Sequence, residues 1–164
     1  MLKKKLKVSL IALTILGSFY PVLQACSSKT DTENPKAEKV MAKADEGKII
    51  HIDAAYMKEH IFDYEANATE FVYKGNVPAI LDFYADWCGP CRSLSPKLEE
   101  VAKKYAGKLI VYKINVDKEP ALAQMFGANS IPMVLFIPVK GTPIQTMGNI
   151  PMKDIESTIQ KIMK

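Results

Sequence analysis

The stretch that decides the fold reads Ala-Ile-Leu-Asp-Phe-Tyr-Ala-Asp-Trp-Cys-Gly-Pro-Cys-Arg and runs from residue 79 to residue 92. Residues 79–84 are apolar enough to predict a buried strand, although Asp82 interrupts the run. After Cys91 the apolar residues recur at helical spacing, at Leu94, Leu98, Val101, Ala102 and Tyr105. Both sulfurs are therefore expected at the end of a strand, on the first turn of a helix.

This placement of the two cysteines favours thiol chemistry. A helix N-terminus offers free N–H groups and the positive end of the helix dipole, and both stabilise a thiolate. We expect Cys88, at the helix start, to be the exposed nucleophile, and Cys91, one turn further in, to be shielded from a bulky substrate. Pro90 suits the first turn because its missing N–H is not needed there. The pair is predicted to cycle between dithiol and disulfide.

Two other interpretations of a Cys-x-x-C pair are a zinc site and a purely structural disulfide. Zinc needs two further ligands. The remaining cysteine, Cys26, and the two histidines, His51 and His60, show no ligand spacing with the pair. The sequence therefore favours a redox pair, and we expect no metal and no other cofactor.

The motif Trp-Cys-Gly-Pro-Cys at residues 87–91, with Asp-Phe-Tyr at residues 82–84 before it, closely resembles the active site of the thioredoxin family. The resemblance extends over residues 48–164. It implies an α/β, thioredoxin-like fold, with a central mixed β-sheet, helices on both faces and the order βαβαβαββα. It makes Cys88 and Cys91 the catalytic pair. It assigns supporting roles at the active site to Trp87, Gly89, Pro90 and Lys113.

Asp82 is the most unusual residue of the predicted strand. Burial disfavours a charged carboxylate and is expected to raise its pKa. The resemblance places Asp82 beneath the second cysteine as the acceptor of its proton, with Lys113 on the neighbouring strand tuning it. A structural aspartate satisfied by hydrogen bonds, and a solvated lysine, are the plainer alternatives.

The resemblance also identifies a substrate-binding surface. Ile131-Pro132 matches the loop whose cis-proline faces the active site in the family, and its backbone would bind an extended substrate segment. Gly148 matches the glycine that lets a substrate approach the backbone closely. Met133 stands where thioredoxins commonly carry threonine, which leaves substrate preference open. Trp87 is expected to be partly exposed.

Two expectations concern the first part of the domain. Asp53 is expected to cap a helix that begins at Ala54 and continues toward Tyr64. Residues 66–77 form a longer connection than in short cytosolic thioredoxins, and we expect an elongated helix and a loop there. A partner-specific face is the alternative for this segment.

Residues 1–25 predict a secretory signal peptide, because four lysines at positions 3, 4, 5 and 7 precede an apolar run over residues 8–23. An uncleaved transmembrane anchor is the weaker alternative. The sequence Leu-Gln-Ala-Cys at residues 23–26 resembles a bacterial lipobox, although Gln24 departs from the usual small or β-branched residue. We expect Cys26 to carry a lipid. Ordinary signal cleavage beside a cysteine is the alternative.

Residues 26–47 are polar and predict a flexible tether with a span of roughly 25 Å, which leaves residues 48–164 as one domain. The chain has 22 basic and 18 acidic residues, and four of the basic ones lie in the signal, so the rest is balanced. We therefore expect no nucleic-acid partner. Attachment to the membrane is expected through the lipid.

The combined prediction is a monomeric thiol–disulfide oxidoreductase that reduces protein disulfides outside the cytoplasm, on the periplasmic side of a bacterial membrane. Its partners would be disulfide-bearing proteins and a membrane-embedded thiol protein that supplies electrons. The alternatives are an oxidase of the same fold that donates disulfides, and a binding module whose thiols are incidental. The sequence leaves open the direction of electron flow, the substrates, the donor and the choice of inner or outer membrane.

Overall fold

The computed structural model describes residues 47–67 and 69–164. The predicted signal peptide, Cys26 and the tether up to residue 46 lie outside this part, so the predicted domain boundaries stay predictions. The strands are β1 (Ile50–His51), β2 (Ala79–Tyr84), β3 (Ile110–Asn115), β4 (Met133–Ile137) and β5 (Ile144–Met147). The α-helices are α1 (Ala54–Tyr56), α2 (Gly89–Lys104), α3 (Pro120–Met125) and α4 (Met152–Ile162).

The five strands form one mixed sheet in the order β1-β3-β2-β4-β5. Strands β1 and β2 both pair with β3 in parallel, whereas β4 pairs antiparallel with β2 and with β5. Strand β2 is therefore central, which is why its apolar run is nearly continuous. The predicted thioredoxin-like α/β fold with a mixed sheet is confirmed.

Side chains of β2 alternate between two apolar layers, one on each face of the sheet. Ala79, Leu81 and Phe83 pack in the layer that includes α1, and Ile80 packs in the layer that includes α2 and α4. Asp82 has the same parity as Ile80 and so points to the α2 side. This alternation directs the single carboxylate of the strand toward the helix that carries the cysteines.

The first helix is shorter than the sequence predicts. Asp53 caps it as expected, since the Tyr56 N–H donates to Asp53 Oδ1 at 2.8 Å. After Tyr56 the chain continues as one π-helical segment, Met57–Ile61, and Phe62 is already extended. Helical structure therefore ends at Ile61, before Tyr64. Met57 and Ile61, in the π-helical segment, are buried and face the core.

The expected elongated helix in residues 66–77 is wrong, because the described residues of this segment contain no helix. Phe71 lies 4.6 Å from Phe62 and 6.3 Å from Phe126, measured between ring centroids. The Tyr73 hydroxyl donates to the Val77 carbonyl at 2.9 Å. Aromatic packing against the core thus fixes a non-helical course that local helix propensity does not specify.

The last helix, α4, buries Ile155, Ile159 and Ile162. Met163 is 37% exposed because α4 ends at Ile162. Within residues 47–67 and 69–164, no helix has the length and apolarity needed to span a membrane.

Candidate active site

The two cysteines lie where the sequence places them, at the start of α2. Cys88 is the residue that caps the helix and Cys91 is in its first turn, and their sulfurs are bonded at 2.08 Å. The Cys91 N–H donates to the Cys88 sulfur at 3.2 Å. The N–H groups and dipole at a helix N-terminus favour negative charge. Once the disulfide is reduced, this environment stabilises a thiolate at Cys88.

The cysteine pair is more buried than expected. Cys88 was predicted to be exposed, yet in the disulfide form it is only 3% exposed, and Cys91 is 1% exposed. Both pack in a small apolar cluster with Ala85, against which Val116 and Ile131 also lie. The prediction of an exposed Cys88 is therefore wrong for this form.

Asp82 lies on β2 and is completely buried. The register of β2 and β3 sets it directly beside Lys113, and Lys113 Nζ lies 3.3 Å from Asp82 Oδ2. The angles of this ion pair are not those of a hydrogen bond, and neither carboxylate oxygen has a hydrogen-bond partner among the described residues. Burial raises the pKa of Asp82, and Lys113 opposes the rise without cancelling it. The carboxyl is suited to exchanging a proton nearer to neutral pH than an ordinary aspartate.

Lys113 connects Asp82 to the turn of α2 that carries Cys91. Its ammonium donates to Ser95 Oγ, and Ser95 Oγ donates to the Cys91 carbonyl at 3.1 Å. The same ammonium lies 4.3 Å from the centroid of the Tyr84 ring. Lys113 is thus 94% buried but held by a carboxylate, a hydroxyl and an aromatic face. The prediction that this lysine lies near Asp82 is confirmed in position.

Trp87 forms one wall of an open groove beside the disulfide. It is 68% exposed, as expected, and its indole N–H donates to Asp117 Oδ2 at 2.9 Å. The groove has a volume of about 380 Å³ and is lined by Trp87, Val116, Ala128, Asn129, Ser130 and Ile131. Because Ile131 also packs against the cysteines, the groove adjoins the disulfide.

The loop before β4 forms the opposite wall of this groove. The Ile131-Pro132 peptide bond is cis, as the resemblance implies. The Pro132 carbonyl accepts from the Gly148 N–H at 2.8 Å, which ties the loop to the end of β5. Gly148 has a φ of 82°, a conformation that favours glycine. Met133 is fully buried in the core, so its side chain does not line the groove.

Gly89 and Pro90 are the first two residues of α2, where a missing proline N–H leaves no helical bond unmade.

His51 lies beside Tyr84, and its Nδ1 is 3.2 Å from the Tyr84 hydroxyl oxygen. In the described part of the chain, no three histidine, cysteine or acidic side chains are arranged to hold a metal ion. Cys26 lies outside the described residues, so its predicted lipidation is not tested by this geometry.

Sequence reasoning did not single out Ser95 or Asp117. Ser95 follows Cys91 by four residues and so lies one helical turn later, which is a weak signal for a contact with the same site. Asp117 is two residues past the end of β3, the edge where the parallel strands present functional groups. Both signals become specific only when the strand register is known.

Comparisons with known proteins agree with this geometry. Residues 59–161 match the family model described as Thioredoxin. A thioredoxin of Borreliella burgdorferi is 43% identical over 100 residues, covering 61% of this chain and 85% of the relative. A chloroplastic M-type thioredoxin of Spinacia oleracea is 31% identical over 157 residues, covering 96% of this chain and 82% of the relative.

A solved structure shares the fold as well. The crystal structure of chloroplastic thioredoxin z superposes with a TM-score of 0.57 at 28% identity. The superposition covers 70% of this chain and 94% of that one. The family match includes β2, the cysteine pair and the hairpin of β4 and β5, which are the elements that build the site.

Proposed function

The chain belongs to the thioredoxin family, and from this premise we propose that it reduces protein disulfides outside the cytoplasm while a lipid on Cys26 holds it to a membrane. The observation that carries the redox part is the Cys88 sulfur at the N-terminus of α2, bonded to Cys91 and accepting the Cys91 N–H. Members of this family are disulfide oxidoreductases. The direction and the location are the parts proposed.

The reaction begins with the reduced pair. The Cys88 thiolate attacks one sulfur of a substrate disulfide, the substrate S–S bond breaks, and the other substrate sulfur leaves as a thiolate. A mixed disulfide then joins Cys88 to the substrate. The helix N-terminus lowers the free energy of the thiolate and so raises its population at neutral pH.

The second step needs Cys91 to lose its proton. Asp82, in its carboxylate form, accepts that proton, and the Cys91 thiolate attacks Cys88, releasing the substrate as a thiolate. Two electrons have then passed from the dithiol to the substrate, and Cys88 and Cys91 form a disulfide. Burial suits Asp82 to this role because it raises the pKa of the carboxyl. Lys113 and Ser95 hold the Asp82 carboxyl and the Cys91 turn of α2 in fixed positions relative to each other.

Substrate binding is proposed for the groove between Trp87 and Ile131. An extended substrate segment would pair with the Ile131 backbone by strand addition, because no hydrogen bond to the Ile131 N–H or carbonyl is found among the described residues. Gly148 would allow the segment to pass close to the backbone. The apolar lining of Val116 and Ala128 favours substrates with an apolar residue beside the reactive cysteine.

The location rests on the sequence of the first 26 residues. A basic segment, an apolar run and the lipobox-like Leu-Gln-Ala-Cys support export and lipidation at Cys26. A reductant outside the cytoplasm needs electrons, which a membrane-embedded thiol protein would return to the Cys88–Cys91 disulfide. Membrane fractionation of Cys26→Ser tests the anchor. Equal membrane retention of mature mutant and wild type would contradict lipidation.

The direction of electron flow is tested by trapping the thiols of Cys88 and Cys91 with an alkylating reagent in the cells that produce the chain. A mostly reduced pair supports the reductase. A mostly oxidised pair with no reducing partner contradicts it and indicates a disulfide donor. In parallel, the purified reduced chain should reduce a disulfide-bearing protein, and the Cys88→Ser/Cys91→Ser variant should not. An inactive wild type would indicate a binding module.

A further inference from the structure

Seven exposed lysines gather at the end of the domain that lies opposite the disulfide. Strands β1 and β3 begin at this end, α2 and α4 finish at it, and β4 finishes at it because it runs antiparallel to β2. The residues at these termini are Lys48, Lys103, Lys104, Lys108, Lys140, Lys161 and Lys164, and each is exposed. We call this set the lysine pole.

Contacts place these termini beside one another. Lys140, Lys161 and Lys164 border one hollow of about 280 Å³ that Pro78 also lines. The Pro78 carbonyl accepts the Ile110 N–H at 3.1 Å, which brings the start of β3 to the same hollow. The lysine pole is therefore one surface built from several separate parts of the chain.

Acidic groups offset part of this charge. Lys104 pairs with Glu156. No ion pair is found for Lys103, Lys108 or Lys161 among the described residues. Besides Glu156, the acidic groups near the pole are Glu100, whose charge acts on Lys104, Glu70, which lines a neighbouring hollow together with Lys140, and the terminal carboxylate of Lys164. Seven lysines against these four acidic groups leave this end of the domain with a net positive charge, although the mature chain as a whole is balanced.

The chain also enters the described domain at this end. A Cβ on Gly47 would lie 2.9 Å from the Lys103 Cα and 3.3 Å from the Ala106 Cβ, so the backbone at Gly47 lies against the end of α2. The 46 residues that precede Gly47 include Cys26. Helix α2 has 16 residues, and at 1.5 Å per residue it separates this point from Cys88 by about 24 Å.

We propose that the lysine pole binds an anionic phospholipid surface and so turns the disulfide away from the membrane. The idea rests on the lipid-anchored membrane location proposed above. Phosphate headgroups complement the lysines in charge, and lysines near an anionic surface contribute additively within a Debye length. The position of Gly47 favours a membrane over a soluble polyanion, because the segment that contains Cys26 joins the domain at the lysine pole.

The test uses the chain from residue 26 onward, the mature form that the signal prediction implies, with Cys26→Ser so that no acyl chain contributes. Binding is measured by co-sedimentation with vesicles of phosphatidylcholine, with and without phosphatidylglycerol. Lys140→Gln/Lys161→Gln removes two charges from the pole. The matched control, Lys118→Gln/Lys153→Gln, removes two exposed charges from the other end of the domain.

Binding should require phosphatidylglycerol and weaken with added salt. Each lysine removed from the pole should lower the vesicle partition coefficient about fivefold, so the pole pair should lower it about 25-fold and the control pair less than about twofold. Equal losses in both pairs, or no binding by the parent chain, would overturn the proposal. Tighter, pole-dependent binding to a nucleic acid would also overturn it. Unchanged disulfide reduction by the variants would show that such a failure does not extend to the proposed function.

Discussion

Lysines serve differently at the two ends of this domain. At the disulfide end, Lys113 is 94% buried and its ammonium has three specific neighbours, Asp82, Ser95 and the Tyr84 ring. At the opposite end, lysines such as Lys108 and Lys161 are exposed and have no ion pair in the described part of the chain. The same side chain is a fixed part of a site in one place and a contributor to a surface field in the other.

The effect of removing a single charge depends on whether that charge is buried or exposed. A buried charge interacts strongly because little water screens it, so one substitution alters the pKa of its neighbours. An exposed charge is screened, and its removal rarely changes stability by more than about 0.5 kcal/mol. Substitutions at the disulfide end should therefore change chemistry and pH dependence. Single substitutions at the lysine pole should change neither.

The largest effect is expected for Asp82→Asn. Losing the base that accepts the Cys91 proton should lower disulfide reduction at neutral pH by about 10²–10⁴, provided that the second step limits the rate. The deficit should shrink as pH rises, because hydroxide then removes the proton. The measurement is the rate of disulfide reduction by the two proteins across pH, with Glu156→Gln at the lysine pole as the control.

Thermal unfolding of the same variant separates chemistry from folding. The raised pKa of Asp82 means that the folded protein binds the proton more tightly than the unfolded chain, so ionised Asp82 costs stability once pH rises through the folded pKa. Asn cannot ionise, so the stability of Asp82→Asn relative to wild type should increase with pH. Full activity of Asp82→Asn at neutral pH would make Asp82 a structural residue and remove the proton transfer from the mechanism.

A direct comparison of the two kinds of lysine is next in size. Lys113→Gln leaves the Asp82 carboxylate buried without its cation, which should cost about 3 kcal/mol of unfolding free energy at alkaline pH. The cost should fall as pH is lowered, because protonation of Asp82 removes the ion pair that the substitution breaks. Lys161→Gln should change the unfolding free energy by less than about 0.5 kcal/mol at either pH. Chemical denaturation at both pH values measures the unfolding free energies. Equal losses for Lys113→Gln and Lys161→Gln would contradict the distinction between buried and exposed lysines.

Ser95→Ala tests the link between Lys113 and the Cys91 turn. Loss of the hydroxyl should cost about 1 kcal/mol of stability. It also leaves Asp82 as the remaining polar side-chain partner of the Lys113 ammonium, which should strengthen their attraction, lower the pKa of Asp82 and move the acid limb of the activity profile to lower pH.

The matched control for Ser95→Ala is Thr158→Val. Thr158 Oγ1 donates to the Asp154 carbonyl at 2.8 Å, the same bond to a carbonyl four residues earlier, but on α4 and away from the site. Its stability loss should be similar, and its pH profile should match that of the wild type. A shift of the same size in both variants would show that Ser95 has no specific effect on Asp82.

The smallest effect is expected for Trp87→Phe. The ring is retained, but the hydrogen bond to Asp117 is lost, and the side chain is mostly exposed. Unfolding free energy should change by less than about 0.5 kcal/mol. The KM for a protein disulfide should rise by about twofold to fivefold with little change in kcat, as expected for a bond of about 0.5–1 kcal/mol made to position one wall of the groove. A selective fall in kcat would assign Trp87 to the chemistry instead.

Local pattern was sufficient for the elements that carry the cysteines. The apolar run of β2 and the helical spacing after Cys91 are short-range signals, and both elements form where expected. The prediction of a helix in residues 66–77 was wrong because the course of this segment depends on contacts of Phe71 with Phe62 and Phe126. Phe126 is distant in sequence. No local pattern contains that information.

The chemistry of the site could be predicted in part from the local sequence as well. The types and spacing of Cys88 and Cys91 indicate redox function without any fold. The burial of Cys88 depends on Ile131, which is far away in sequence, so the expectation of an exposed sulfur could not be corrected from residues 88–91 alone. The position of Lys113 beside Asp82 came from family resemblance. The part played by Ser95 requires the register of β2 and β3.

The central claim is that Cys88 attacks and Cys91 resolves, and mixed-disulfide trapping tests it most directly. Reduced Cys91→Ser and Cys88→Ser are each mixed with a disulfide-bearing protein, quenched with acid, and separated on non-reducing gels, with mass spectrometry of the joined peptides. Cys91→Ser should accumulate a mixed disulfide through Cys88, because attack proceeds and resolution cannot. Cys88→Ser should trap almost nothing. Accumulation through Cys91 in the Cys88→Ser variant, with none in Cys91→Ser, would contradict the account.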